Sequence, residues 1–129
     1  MRVVVRSRHI SLGLVWREDV VVVLVDGELD ARSARFVART LDGLWAQPFT
    51  SLWINLAGAS KLDAAGVGVL LAARERALES GRGFAIRSPS SEAASLLESS
   101  GAWTLLSATD AEEHPAPAES STPPAPSRR

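Results

Sequence analysis

The chain has 129 residues, no cysteine and seven prolines, and its 14 Lys and Arg set against 15 Asp and Glu leave a net charge of −1. Near-neutrality excludes a nucleic-acid binder that works by bulk charge, and the lack of cysteine excludes a disulfide scaffold and thiol catalysis. A chain of this length buries enough surface for one core without covalent or metal staples.

Met1-Arg2-Val3-Val4-Val5-Arg6 lacks the apolar h-region of a signal peptide. The longest apolar run, Val20 to Val25, falls far short of the roughly 20 residues that span a bilayer. A soluble, cytoplasmic protein with no direct membrane insertion is expected. Ile10, Leu12, Leu14 and Trp16 alternate with Ser11, Gly13 and Val15, the period-2 pattern of a half-buried strand. Arg17-Glu18-Asp19 is a polar turn, and the unbroken run Val20 to Val25 predicts a second hairpin strand covered on both faces. After Gly27-Glu28-Leu29-Asp30, the residues Ala34, Val37, Leu41 and Leu44 take helical spacing, with Asp30 placed as N-cap and Pro48 ending the helix.

A second cycle follows. Leu52, Trp53, Ile54 and Leu56 form a short strand; Asp63-Ala64-Ala65-Gly66 opens a helix running to about Ser80, and Gly81 is its stop. Phe84-Ala85-Ile86 is another strand, Ser90 to Ser99 a short helix, and Trp103 to Leu106 a last strand or turn. The order ββαβαβα(β) predicts an α/β domain over residues 1–106, with a mixed sheet of four to five strands and helices packed on it. Beyond it, 107–129 carries five of the seven prolines among Ala, Ser, Thr and Glu. With almost no large apolar residue, this stretch cannot offset its ordering entropy and is expected to be a disordered tail.

The inventory of chemical groups is thin. His9 and His114 sit at the domain edge and in the tail, so no zinc set and no Ser-His-Asp arrangement assembles around a core site. Gly66-Val67-Gly68-Val69-Leu70-Leu71 starts like a dinucleotide fingerprint, but Leu71 stands at its last position and no strand leads directly into it. No enzymatic activity, cofactor or metal is expected. Glu28, Asp30 and Asp63 fall where strand ends meet helix starts, and caps and turns account for Asp30 and Asp63.

The second helix is more informative. At 100° per residue, Gly66, Val67, Leu70, Leu71, Ala77 and Leu78 share one side, and Ala65, Gly68, Val69, Ala72, Glu75, Arg76 and Glu79 the other. The outward side of its first two turns is therefore small or apolar, which a solvated face is not, and a smooth patch of this kind can receive a partner at close backbone approach.

Taken together, Gly27-Glu28-Leu29-Asp30, the strand Leu52-Trp53-Ile54-Asn55-Leu56, the run Leu62-Asp63-Ala64-Ala65-Gly66-Val67-Gly68-Val69-Leu70-Leu71 and the later Leu96-Leu97-Glu98-Ser99-Ser100-Gly101 resemble the STAS domain, in particular stand-alone bacterial anti-sigma factor antagonists. The resemblance covers about Ile10 to Leu106. It implies a protein-binding module that regulates transcription by partner switching, its partner an anti-sigma factor of the histidine-kinase-like ATPase type. The alternative it leaves open is a STAS subunit of a bacterial lipid-transport ABC complex. The partner-binding residues it implies are Glu28, Asp30, Asp63, Ala64, Ala65, Gly66, Gly68, Val69, Ala72 and Arg76. The family pattern Asp-Ser-Ser/Ala/Thr-Gly puts a phosphorylated serine at the start of this helix; here Ala65 occupies the acceptor position and has no hydroxyl. Asn55 replaces an Asp often seen in the family. The resemblance thus implies a module without the usual phosphorylation switch.

Overall fold

A computed structural model describes residues 1–104 and 106 of the chain. Alternation of apolar and polar residues, with β-branched residues in the runs, produces five strands: β1 (Arg2–Arg6), β2 (Ile10–Arg17), β3 (Val20–Leu29), β4 (Ser51–Leu62) and β5 (Gly83–Arg87). They lie side by side in chain order in one sheet. The first three are antiparallel neighbours, whereas β4 pairs parallel to both β3 and β5. Parallel neighbours need a crossover, supplied by α1 (Ala34–Leu44) between β3 and β4 and by α2 (Ala64–Glu79) between β4 and β5; α3 (Ser91–Ser99) follows β5.

The expected α/β class and mixed sheet hold, with two corrections to the order ββαβαβα(β). The fifth strand is β1, formed by residues 2–6, whose short Val3-Val4-Val5 run pairs along β2. At the other end, Ala102, Trp103, Thr104 and Leu106 are helical rather than a strand. The expected tail, 107–129, lies outside the described residues. β4 is also longer than Leu52 to Leu56: its second half lacks apolar alternation, but pairing with Asp26 to Leu29 across register shifts in the ladder sustains it. Asn55 supports this irregular stretch, its Oδ1 accepting a hydrogen bond of 2.9 Å from the Ala57 N–H.

One face of the sheet carries the core. Leu12, Leu14, Val21, Val23, Leu52, Ile54, Phe84 and Ile86 are buried in a single cluster with Val37 and Leu41 of α1, Val67, Leu70, Ala73 and Ala77 of α2, and Ala93 and Leu97 of α3. Val20, Val22 and Leu24 point the other way and are only half-buried. The expectation that this strand is covered on both faces is therefore corrected: among the described residues, all three helices pack on the same side. Because β3 and β4 run parallel, their C-terminal ends emerge together, and the loop after β3 meets the start of α2.

Candidate functional site

Asp63 joins these two loops. It is the N-cap of α2, in extended backbone, and its Oδ1 accepts the Gly66 N–H at 3.0 Å, satisfying one of the orphan donors of the first turn. Its Oδ2 accepts the Ala31 N–H at 3.1 Å, which ties the loop after β3 to the helix start. Gly66 completes the joint by sterics. A Cβ there would lie 2.4 Å from the Leu29 carbonyl oxygen and 2.7 Å from Leu62 Cδ1, so only glycine lets the first turn of α2 seat on the ends of β3 and β4. This also disposes of the fingerprint-like Gly66-Val67-Gly68: Gly66 is filled by the protein's own backbone and is not open to a phosphate.

Beside this joint lies a charged cluster. Asp30 is buried, and its carboxylate accepts hydrogen bonds from the Arg32 backbone N–H at 3.0 Å and from Arg32 Nη2 at 2.9 Å, with Lys61 Nζ 3.5 Å away. The Arg32 guanidinium holds the Asp30 carboxyl down at about 2, against the opposing effect of burial. Arg32 Nη2 also donates to Glu28 Oε1 at 2.7 Å, and His9 Nδ1 lies 3.6 Å from the same oxygen. Asp30 does not cap α1. The chain makes a turn through 31–33 first, Ser33 takes the N-cap position, and the Asp30 carbonyl accepts from the Ser33 and Ala34 N–H groups while its carboxylate turns to Arg32. The buried Ser33 hydroxyl donates to the Glu28 carbonyl at 2.6 Å and locks the turn.

The outward side of α2 is built differently. Gly68 and Ala72 are exposed, and Ala65 and Val69 half-exposed. Beyond its chain neighbours and the backbone of its own helix, no heavy atom of the described residues lies within 4 Å of where a Gly68 Cβ would stand. These residues form one wall of a groove of about 530 Å³; Ala38, Leu41, Asp42 and Trp45 of α1 and its C-cap form the other, and Glu75, Arg76 and Glu79 lie at the charged end. Trp45 is fixed from two sides. The Arg76 guanidinium lies 5.7 Å from its ring centroid, and Arg82 stacks over Phe49 at 4.2 Å while donating to the carbonyls of Trp45, Gln47 and Phe49.

The sequence-predicted residues thus fall into two groups. Glu28, Asp30, Asp63, Ala64 and Gly66 sit at the joint, with Gly66 buried and Ala64 exposed, whereas Ala65, Gly68, Val69, Ala72 and Arg76 line the groove. Periodicity placed Leu71 and Leu78 on the inner side of α2 and omitted Ala73; Ala73 is buried and the two leucines flank the buried stripe. Arg32 and Lys61, which neutralise Asp30, and the α1 wall of the groove were not singled out. Arg32 was findable, two residues from Asp30 and four from Glu28; the α1 wall needed the packing of α1 against α2. Among the described residues, no three His, Cys, Asp or Glu side chains converge as metal donors, and no helix is long and apolar enough to cross a membrane.

Comparison with known proteins bears on the fold. The family model for the STAS domain matches residues 13–113. No curated protein matches the sequence at a significant level. Among solved structures, an anti-sigma factor antagonist from Mycobacterium paratuberculosis is 24% identical, with a TM-score of 0.63 over 75% of this chain and 82% of that one. The anti-sigma factor antagonist SpoIIAA in its unphosphorylated form is 21% identical, with a TM-score of 0.61 over 70% of this chain and 80% of its own. The Bacillus cell fate determinant SpoIIAA in its phosphorylated form is likewise 21% identical, with a TM-score of 0.58 over 70% and 83%. At these identities the likeness is one of fold.

Proposed function

The chain belongs to the STAS domain family, and on that premise we propose that it is an anti-sigma factor antagonist-like binding module, which captures an anti-sigma factor of the histidine-kinase-like ATPase type through the start of α2 and the neighbouring loop after β3. The observation that carries this reading is the smooth outward face of Ala65, Gly68, Val69 and Ala72, which opens onto a groove instead of presenting solvated charges. Such a face gains by excluding water against a partner and offers no group for chemistry, which favours binding over catalysis.

The regulation proposed is one of omission. SpoIIAA is known in unphosphorylated and phosphorylated forms, whereas the matching stretch here reads Asp63-Ala64-Ala65-Gly66. Phosphate would add a charge of about −1.5 to −2 and three acceptor oxygens; alanine offers no nucleophile to receive it. Ser60 is the nearest remaining hydroxyl upstream, but it belongs to β4 and not to the helix start. The module therefore stays competent for its partner whatever the ATP supply, and the switch passes to the abundance of the module or to its partner.

The test is incubation of the wild type and of Ala65→Ser with the cognate kinase and ATP, followed by intact mass and by titration of complex formation. The expected result is no phosphate on the wild type, with its binding unchanged by ATP, and acquisition of one phosphate by Ala65→Ser. Stoichiometric phosphorylation of the wild type with loss of binding overturns the proposal.

A further inference from the structure

The sheet face opposite the helices is apolar in its middle and cationic at its rim. Residues paired in register share a face, and two rows across the strands define this one. Val15, Val22, Trp53 and Ala85 follow Arg2 in one row; Gly13, Leu24, Asn55 and Arg87 follow Val4 in the next. Ala85 is fully buried; the other side chains of these rows neither belong to the core cluster nor pack against it. Val4 is 48% exposed, and Val15, Val22, Leu24 and Trp53 are half-buried. Gly13 leaves a notch beside Leu24, whose Cβ is the nearest atom to where a glycine Cβ would be, at 3.6 Å. Arg2, Arg6, Arg17 and Arg87 ring the face, the last stacked over Trp53 at 4.6 Å; these two rows hold no carboxylate, and the exposed Asp26 lies in the next row, with Ser11 and Arg6.

We infer that this bare face is the docking site of the chain's own C-terminal segment, 107–129, held by its acidic stretch Asp110, Glu112 and Glu113 against the arginine rim and by its prolines against the Trp53–Leu24 strip. The segment has no apolar core of its own, but docking needs none, because the sheet supplies the apolar surface. Charge selects this occupant. A second copy laid on the face would set arginines against arginines, whereas the segment brings three carboxylates within four residues. Reach permits it. Leu106 is fixed in the core; Asp110 to Glu113 follow it within about 13 to 25 Å of extended chain and the whole segment within about 75 Å, against about 19 Å across five strands. Tethering supplies an effective concentration on the order of millimolar, so weak contacts suffice. Pro115, Pro117, Pro123, Pro124 and Pro126 favour an extended polyproline conformation, which needs no ladder partner and packs well on a tryptophan face.

The absence of cysteine allows a direct test in the full chain: a nitroxide attached at Ala116→Cys, read by paramagnetic broadening of amide signals. The expected result is selective broadening of Val22, Leu24 and Trp53 to roughly half their intensity or less, as a predominantly docked state requires, with Val69 and Ala72 on the helical side unaffected. Asp110→Asn with Glu112→Gln and Glu113→Gln, or added salt, should restore the signals. Broadening absent from the sheet face, centred on the α1–α2 groove, unchanged by the triple neutralisation, or seen only between a spin-labelled chain and a separate isotope-labelled one overturns the inference, the last by assigning the face to a second copy.

Discussion

The joint at the head of α2 and the outward side of the same helix lie within two turns of each other and are built on opposite principles. At the joint, polar groups are engaged inside the molecule: Asp63 holds two backbone N–H groups, Asp30 holds Arg32 and Lys61, and Ser33 holds Glu28. Along the outward side, Ala65, Gly68, Val69 and Ala72 offer no polar side-chain atom. The acids that attract attention as candidate chemistry have partners within the molecule, and the unremarkable small residues leave the outward side of α2 uncovered. A carboxylate already saturated by internal donors has little left for a partner, whereas an uncovered apolar patch is stabilised by finding one.

Substitutions can break that division. Gly66→Ala should be the most damaging, because its Cβ would collide with the Leu29 carbonyl at a backbone position that cannot yield. Overpacking of this severity costs about 3 kcal/mol, which a thermal melt reads as a fall of more than about 10 °C for a domain of this size; an unchanged melting temperature would mean that the joint is not rigid. Asp63→Ala should cost about 1 to 2 kcal/mol through the lost cap, visible in urea unfolding. It should also free the loop after β3, seen as faster amide exchange at Ala31.

Acid sharpens the comparison further. The Asp30 carboxyl is lowered from 3.8 to about 2 in the folded chain, so its contribution is fully present above the unfolded value and is lost as pH falls from about 4 through about 2. Asp30→Asn should flatten the stability profile in that window and leave its shape above about pH 5 unaltered, as chemical denaturation across pH would show. Gly68→Ala carries the smallest effect. With open space around it, alanine should stabilise the isolated domain by about 0.5 to 1 kcal/mol through helix propensity, the opposite sign from Gly66→Ala two residues earlier.

Much of this was legible in the sequence. Alternation along Ile10 to Trp16, the i, i+4, i+7 spacing of Val37, Leu41 and Leu44 and the Asp63-to-Gly81 frame of α2 are local signals, and the structure repeats them. Gly81 takes a φ of +75°, as a helix stop should. What local patterning missed depends on distant partners. Residues 2–6 become a strand because β2 offers an edge; the second half of β4 is held by β3 and not by its own composition. An unbroken apolar run such as Val20 to Val25 reads as doubly covered, although among the described residues helices meet one face of this sheet. At the site, the outward character of Ala65 to Ala72 followed from the helical wheel. The groove did not, because Ala38 and Trp45 join it only through the packing of α1 against α2.

The most direct test of the account is a calorimetric titration of the cognate anti-sigma factor with wild type, Val69→Glu and Ala72→Glu. Ala72 is exposed, so its substitution leaves packing untouched, whereas Val69 also leans on the core. The account predicts that Ala72→Glu keeps the wild-type melting temperature and that both variants bind roughly 30-fold or more weakly, the loss of a central contact. Wild-type affinity in a folded Ala72→Glu would contradict the assignment of the α2 groove as the partner surface.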